Sequence, residues 1–270
     1  MQRRNILWTL AITSIALFMV VLDNLVVSTA LPVIRVDLDA TIEELEWTVN
    51  AYTLTFAVFL LTGAALGDRF GRRRVFALGI GLFTAASAAA ALAPSMDALI
   101  AARALQGIGG ALVMPLTLTI LSGAFPADRR GVALGLWGAI GGIAVAAGPL
   151  VGGLVIEGIA WQWIFWLNVP VGLALVPLAR LRLRETHGPD KALDLGGLAL
   201  VSGGLLGLVW GLINGNGHGW TSAAVVSALA GGILLLAGSL PGSFGLASRC
   251  CRCASSATAP SRPETQPRCS

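Results

Sequence analysis

Long apolar stretches recur along the sequence and constrain its fold more than any other feature. Each is about 18 to 25 residues long, so a helix rising about 1.5 Å per residue can cross a hydrocarbon core of about 30 Å. Because a backbone in hydrocarbon must satisfy its own hydrogen bonds, such runs are predicted to be helices and not strands. We count eight segments, at residues 6–30, 48–67, 75–93, 98–122, 132–155, 163–181, 194–213 and 222–240. With 56% hydrophobic and only 12% charged residues, the chain is predicted to be an all-α integral membrane protein.

The basic residues of the short loops predict how these helices are oriented. With the N-terminus inside, twelve basic residues fall on the cytoplasmic side and only Arg35 falls on the outer side. The positive-inside rule therefore predicts a multi-pass protein of the cytoplasmic membrane with a cytoplasmic N-terminus. The net charge of +4 follows from this topology and does not indicate a nucleic-acid partner. A secretory signal is the alternative for the first segment, although that run is long for a signal core and seven segments follow it. The twelve residues are Arg3, Arg4, Arg69, Arg72, Arg73, Arg74, Arg129, Arg130, Arg180, Arg182, Arg184 and Lys191.

The loop between the second and third segments reads GDRFGRRRV, residues 67–75. Its glycines permit a tight turn, and Asp68 can form a charged latch with the arginines at the helix ends. The alternative is that the arginines only enforce topology. The stretch resembles the loop motif of the major facilitator superfamily, Gly-x-Leu-Ala-Asp-Arg-x-Gly-Arg-Lys, with Ala64 where that family has glycine. The resemblance implies a cytoplasmic gating loop formed by Asp68, Arg69, Gly71, Arg72 and Arg73.

Two charged side chains lie inside apolar segments, Asp23 in the first and Arg103 in the fourth. An arginine at the centre of a membrane helix costs roughly 2.5 to 3.5 kcal/mol on insertion scales, so Arg103 should face protein or water. Gln106 follows it on the same helix face. The stretch RALQGIGGA resembles the superfamily's fourth-span motif, Arg-x-x-Gln-Gly, whose arginine is associated with proton coupling. The alternative is an arginine that only ties down backbone carbonyls between helices.

A carboxylate inside a membrane segment is a functional-site candidate by default. Burial disfavours the charged form of a carboxylate, so Asp23 is predicted to take up and release a proton. The alternative is that Asp23 lies close enough to the outer face to be hydrated. The stretch LDNLVVSTALP, residues 22–32, resembles the first-span motif of the fourteen-span multidrug antiporters of the EmrB/QacA type, with Leu25 and Ser28 replacing the usual threonine and asparagine. We assign proton coupling and substrate translocation to Asp23, Arg103 and Gln106.

Glycines recur near helical spacing along the fifth segment and predict a groove that another helix can approach closely. Pro149 adds a pivot because it removes a backbone hydrogen bond. The stretch GPLVGG resembles the antiporter signature of the superfamily's drug:proton exchangers, and implies export. Its assigned residues are Gly148, Pro149, Gly152 and Gly153. The stretch WQWIFWLNVPVG, residues 161–172, resembles the family's approach to the sixth span.

Together these motifs imply the N-terminal six-helix half of a major facilitator fold at residues 1–182, followed by two additional transmembrane helices at 183–240. Residues 241–270 are predicted to be a disordered tail. The tail holds all four cysteines, Cys250, Cys251, Cys253 and Cys269, at spacings that match no standard metal site. A shifted reading frame can convert part of the tail into a segment that resembles fourteen-span relatives, so we expect a frameshift origin. A genuine cysteine-rich tail is the alternative.

The predicted function is proton-coupled efflux of small hydrophobic or cationic drugs across the cytoplasmic membrane. The expected partners are the lipid bilayer, the drug, protons and, for a truncated chain, a second polypeptide that supplies the missing half. No cofactor is expected beyond the proton gradient, which supplies the energy. The alternative function is a non-transporting remnant or accessory membrane subunit. A membrane enzyme is disfavoured because no His, Cys or acidic cluster has catalytic or metal-ligand spacing.

Overall fold

A computed structural model describes residues 2–188 and 195–254 of the chain. Every regular element within these ranges is a helix, which agrees with the predicted fold class. The helices are α1 (Gln2–Asp37), α2 (Ile42–Phe70), α3 (Arg72–Ala91), α4 (Met96–Ala124), α5 (Arg130–Gly158), α6 (Trp163–Trp166), α7 (Asn168–Arg182), α8 (Leu195–His218) and α9 (Ala223–Ala254), with a single 3-10 turn at Ala127–Arg129.

The described helices match the apolar segments closely. Within the described part of the chain, seven spans are long and apolar enough to cross a membrane, and the sixth of them, Trp163–Arg182, combines α6 and α7. The eighth predicted segment corresponds to a shorter apolar stretch, Ala223–Ser239, within α9. Because hydropathy marks the end of an apolar run and not of a helix, α9 continues past the predicted boundary at residue 240, as far as Ala254. The rest of the predicted disordered, frameshift-derived tail, including Cys269, lies outside the described residues, as does Lys191.

Local sequence signals place several helix ends. Thr41 begins α2 with a capping box, since its hydroxyl accepts from the Glu44 amide while the Glu44 carboxylate accepts from the Thr41 amide. Ser95 caps α4 by accepting from the Ala98 amide at 3.4 Å. Gly71 ends α2 and precedes α3 with φ of 105°, a left-handed conformation that favours glycine.

The core of the six-span bundle consists of two apolar clusters, stacked along α1. One includes Val20 of α1 and the aromatic side chains of Phe76 and Phe83 of α3. The other includes Val26 of α1 and Phe165 of α6. Asp23 lies between Val20 and Val26 in the chain, so a polar layer separates the two clusters.

The helices α8 and α9 form a hairpin beside this bundle. They approach closely at glycines, because a Cβ on Gly207 would lie 2.8 Å from the Ala228 carbonyl oxygen. The helix α8 packs against α2, where the Ser202 hydroxyl donates to the Val58 carbonyl at 3.1 Å and lies 3.3 Å from the Thr62 hydroxyl. The helix α7 ends at Arg182, and the division of the chain into a bundle and two additional helices at this residue stays a prediction.

Candidate functional site

The two intramembrane charges identified from the sequence form a buried ion pair. The Arg103 Nη1 atom of α4 lies 2.5 Å from the Asp23 Oδ2 atom of α1. Asp23 is 3% exposed and Arg103 is 0% exposed, so both side chains are enclosed in the bundle. A buried charge needs a partner of this kind because its desolvation is costly.

Amide and hydroxyl groups from three further positions complete the cluster around Asp23. Gln106 accepts from Arg103 at 2.9 Å and donates to the Asp23 Oδ1 atom at 3.2 Å. Asn168, at the start of α7, donates to the same oxygen at 2.6 Å. The Ser87 hydroxyl of α3 accepts from Gln106 at 2.7 Å. The cluster therefore joins α1, α3, α4 and α7 through buried hydrogen bonds. Sequence reasoning assigned Gln106 but missed Asn168 and Ser87.

Arg103 also contacts the backbone and aromatic rings around it. Its Nε atom donates to the Thr48 carbonyl at 3.3 Å, so the arginine does tie down a carbonyl between helices. Its Cζ atom lies 4.3 Å from the centroid of the Tyr52 ring, a cation–π distance, and 5.9 Å from that of Phe165. The Nη2 atom is buried without a hydrogen-bond partner among the described residues. A buried N–H group without a hydrogen-bond partner is energetically costly, and this one can donate to a group that enters the cluster.

A cleft of about 380 Å³ adjoins the cluster and shares Tyr52 with it. The rings of Tyr52 and Phe56 are stacked in its wall, with centroids 6.0 Å apart. Asn24 also lines the cleft, and its side-chain oxygen has no hydrogen-bond partner in the described part of the chain. The remaining lining residues are Val20, Val21, Leu25, Thr53, Met114 and Val145. This largely apolar cleft with an unsatisfied amide oxygen has the character of a small-molecule site.

The predicted gating loop forms a latch at the end of the bundle where α2 ends and α3 begins. Asp68 and Arg72 form an ion pair at 2.7 Å. The backbone of the segment after α7 binds the same loop, because the Gly188 amide donates to the Asp68 carbonyl at 3.0 Å and the Arg72 amide donates to the Thr186 carbonyl at 2.9 Å. The loop is therefore fastened to a segment that is distant from it in the chain.

Glu185 is a latch residue that sequence reasoning missed. Its carboxylate accepts from the Arg73 amide at 2.9 Å and lies 3.6 Å from the Arg74 Nε atom, so it caps the start of α3, where Gly71 supplies no side chain. A Cβ on Gly71 would lie 2.6 Å from the Glu185 Oε1 atom, so a side chain there would displace this carboxylate. Arg69 does not join the latch; it is exposed and lies beside the Phe70 ring.

The glycines of α5 divide into two groups. Gly148 and Gly152 of the antiporter motif face α1, since a Cβ on either would meet the side chain of Leu25 or Thr29. Gly153 has open space beside it, and α5 is continuous through Pro149. Only part of the predicted groove is therefore occupied by a neighbouring helix among the described residues. A Cβ would likewise meet no described atom within 4 Å at Gly131, Gly135, Gly138 and Gly142.

No group of three or more potential metal ligands comes together among the residues that the structure describes.

Comparison with known proteins places the chain in a family. Residues 13–248 match the model of the Major Facilitator Superfamily. The chain is 38% identical over 232 residues to the tetracenomycin C resistance and export protein of Streptomyces glaucescens, covering 85% of this chain and 43% of that protein. It is 42% identical over 234 residues to a cephamycin export protein of Amycolatopsis lactamdurans, covering 84% of this chain and 48% of that protein. The chain thus spans less than half the length of these curated relatives.

Solved structures share the fold at low sequence identity. The POT family transporter PepTSo superposes with a TM-score of 0.60 and 16% identity, over 90% of this chain and 53% of that one. Spans, motifs and relatives agree, and the chain belongs to the major facilitator superfamily of membrane transporters.

Proposed function

We propose that the protein acts in the export of small hydrophobic or cationic drugs in exchange for protons. The buried Asp23–Arg103 pair carries the proposal, because it is a titratable carboxylate paired inside the membrane-spanning bundle. The named export and resistance functions of the relatives support the drug as cargo.

The ion pair supplies a physical link between a proton and a conformational change. When Asp23 is ionised, it compensates the charge of Arg103 and accepts hydrogen bonds from Gln106 and Asn168. Protonation would remove that compensating charge and leave a buried guanidinium without a counterion, which is strongly unfavourable. The bundle must then rearrange or admit water. Four helices contribute to the cluster, so a proton at Asp23 biases the packing of all four.

In the proposal, the drug occupies the cleft beside the cluster. The stacked rings of Tyr52 and Phe56 offer an apolar, π-rich wall, which suits flat aromatic compounds and cations. Because Tyr52 contacts the drug cleft and also the Arg103 guanidinium, occupancy of the cleft acts on the same pair that the proton acts on.

We further propose the fourteen-span type, with the N-terminus in the cytoplasm of a cell whose cytoplasmic membrane holds the protein. The α8–α9 hairpin after the six-span bundle and the motif at residues 22–32 support this type. Alternating access in this superfamily uses two half-bundles around a central site. The second half-bundle would come from a further segment, on the same or a second polypeptide.

Transport by inverted membrane vesicles that contain the full chain tests the proposal. The Asp23→Asn variant keeps the size of the side chain but cannot exchange a proton, so we expect drug-dependent proton flux to be lost. Asp97→Asn, an exposed carboxylate at the start of α4, is the control and should transport as the unaltered protein does. Unchanged proton-coupled export by Asp23→Asn would overturn the proton-carrier role. Absence of flux with the unaltered chain would instead favour a non-transporting remnant or an accessory membrane subunit.

A further inference from the structure

A basic pocket lies at the end of the bundle that also carries the latch. Its volume is about 310 Å³, and it is enclosed by the start of α1, the end of α4, the start of α3 and the segment after α7. Ile6 and Ala124 lie at the limits of two apolar spans, so the pocket sits where hydrocarbon gives way to headgroups. Its lining contains no acidic residue among those described and consists of Ile6, Thr9, Arg72, Ile120, Gly123, Ala124, Arg182, Arg184 and Thr186.

Two of the three arginines in this pocket have no carboxylate partner within the described ranges. Arg72 is compensated by Asp68. Arg182 lies over the Trp8 ring, with its Cζ atom 5.1 Å from the ring centroid. Arg184 precedes Glu185, but the Glu185 carboxylate is engaged by Arg73 and Arg74 on α3. Among the described residues, the charges of Arg182 and Arg184 are therefore not compensated by a carboxylate, which favours binding of an anion.

An apolar groove adjoins the basic pocket through Ile6, which lines both. The groove has a volume of about 300 Å³ and is lined also by Leu7, Phe125, Pro126 and Arg129. A basic pocket that shares the wall residue Ile6 with an apolar groove matches a ligand that has an anionic head and an apolar tail.

We propose that the basic pocket binds the phosphate group of an anionic phospholipid, with part of an acyl chain in the adjoining groove. Guanidinium groups match phosphate oxygens in geometry, and basic pockets between membrane helices are suited to anionic headgroups. Arginines that served only to set topology would need only to lie at the correct end of the helices. They would not need to line one cavity whose described lining holds no acidic residue, beside an apolar groove. This site does not depend on the transport function proposed above.

Lipid retention by the purified full chain tests the site. The chain is extracted in detergent, mixed with phosphatidylglycerol or phosphatidylcholine, and the bound lipid is counted by native mass spectrometry. We expect phosphatidylglycerol to be retained preferentially. The double variant Arg182→Gln/Arg184→Gln should bind it about 30-fold more weakly, since each arginine near an anionic surface contributes about 1 kcal/mol. Arg180→Gln is the control, because it removes one charge from the same helix outside the pocket lining.

Arg184→Gln alone separates binding from folding. Arg184 makes no ring contact or ion pair with the described residues, so its replacement should preserve the melting temperature in detergent and still weaken phosphatidylglycerol binding about fivefold. A parallel titration with inorganic phosphate distinguishes the two sources of a phosphate group. Competition by millimolar phosphate supports an anion site in the pocket, whereas lipid binding without such competition supports a site that also needs the apolar groove. Equal lipid binding by the unaltered chain, Arg180→Gln and both pocket variants would overturn the proposal.

Discussion

At the residue scale, the uncharged side chain of Asn168 is important for the Asp23 cluster because it donates a hydrogen bond to the buried carboxylate. Its amide donates to the Asp23 Oδ1 atom at 2.6 Å from a helix that is otherwise apolar until its basic last turn. Because the acceptor is a buried carboxylate, loss of this hydrogen bond leaves charge without a partner and costs more than loss of an ordinary hydrogen bond. Asn168 is therefore a positioning residue that holds the orientation of Asp23.

The variant Asn168→Ala is expected to lower the free energy of unfolding in detergent by about 1.5 to 3 kcal/mol. Gln162→Ala is the matched control, because Gln162 also donates an amide hydrogen bond to a carboxylate, Asp37, but at 3.4 Å and near the surface. The control should change stability by less than about 0.5 kcal/mol. Denaturant titrations of both variants check the prediction, and equal effects would contradict it.

Gly71 is constrained by its backbone conformation, and a side chain there would also displace Glu185. Its φ of 105° is unfavourable for a side chain, and a Cβ would lie 2.6 Å from the Glu185 carboxylate. We expect Gly71→Ala to lower stability by about 1 to 3 kcal/mol and to displace Glu185 from the start of α3. Gly81→Ala, in α3 with open space at its Cβ position, should be neutral or stabilising by up to about 1 kcal/mol. The melting temperatures of the two variants in detergent test this prediction, and similar values for both would contradict the strain argument.

At the element scale, neighbouring glycines of α5 have opposite environments. Gly152 faces Thr29 of α1, whereas Gly153 has no described atom within 4 Å of its Cβ position. Gly152→Ala should therefore separate α5 from α1 and destabilise the bundle by about 1 to 3 kcal/mol. Gly153→Ala should be neutral or slightly stabilising, because alanine favours the helix. Thermal unfolding of this adjacent pair provides the measurement, and a reversed order would show that α5 packs on α1 through a different face.

The contrast between predicted and missed residues follows from what a linear pattern contains. Asp23 and Arg103 are visible in the sequence because a charge inside an apolar run is rare and costly. Asn168 and Ser87 are uncharged polar residues, which membrane helices tolerate, so nothing in the pattern singles them out. Glu185 binds an amide 112 residues away, and only the folded arrangement of α3 and α7 brings the two together.

The sequence predicts the position of each helix well, because an apolar run is recognised by itself. It does not predict which helices pack against each other. The length of an apolar run is set by the membrane, so the spans are recognisable one at a time. The glycine spacing of α5 predicts a face that permits close approach. It does not predict that Gly148 and Gly152 contact α1, whereas the Cβ position of Gly153 has no described atom within 4 Å. Which helix packs against a given face depends on the arrangement of the whole bundle, and not on the sequence of that helix alone.

At the scale of the whole molecule, the two ends of the bundle differ in charge. The end with the latch and the basic pocket carries arginines at residues 69, 72–74, 129, 130, 180, 182 and 184. The opposite end carries one arginine, Arg35, and the acidic residues Asp37, Asp39, Glu43, Glu44, Glu46, Asp97 and Glu157. This asymmetry supports a cytoplasmic location for the basic end, because translocation of arginines is disfavoured. A cytoplasmic location would also place the basic pocket at the leaflet surface that carries the most anionic lipid.

Labelling of single cysteines in intact cells tests this orientation. With the four native cysteines replaced by serine, His187→Cys places a thiol in the exposed segment after α7, and Asp97→Cys places one in the exposed first turn of α4. A maleimide that does not cross membranes should label Asp97→Cys in intact cells, and His187→Cys only after the cells are permeabilised. Both should react in detergent, which controls for reactivity. Labelling of His187→Cys in intact cells would show that the topology is the reverse of the predicted one, with the latch and the basic pocket on the outer face.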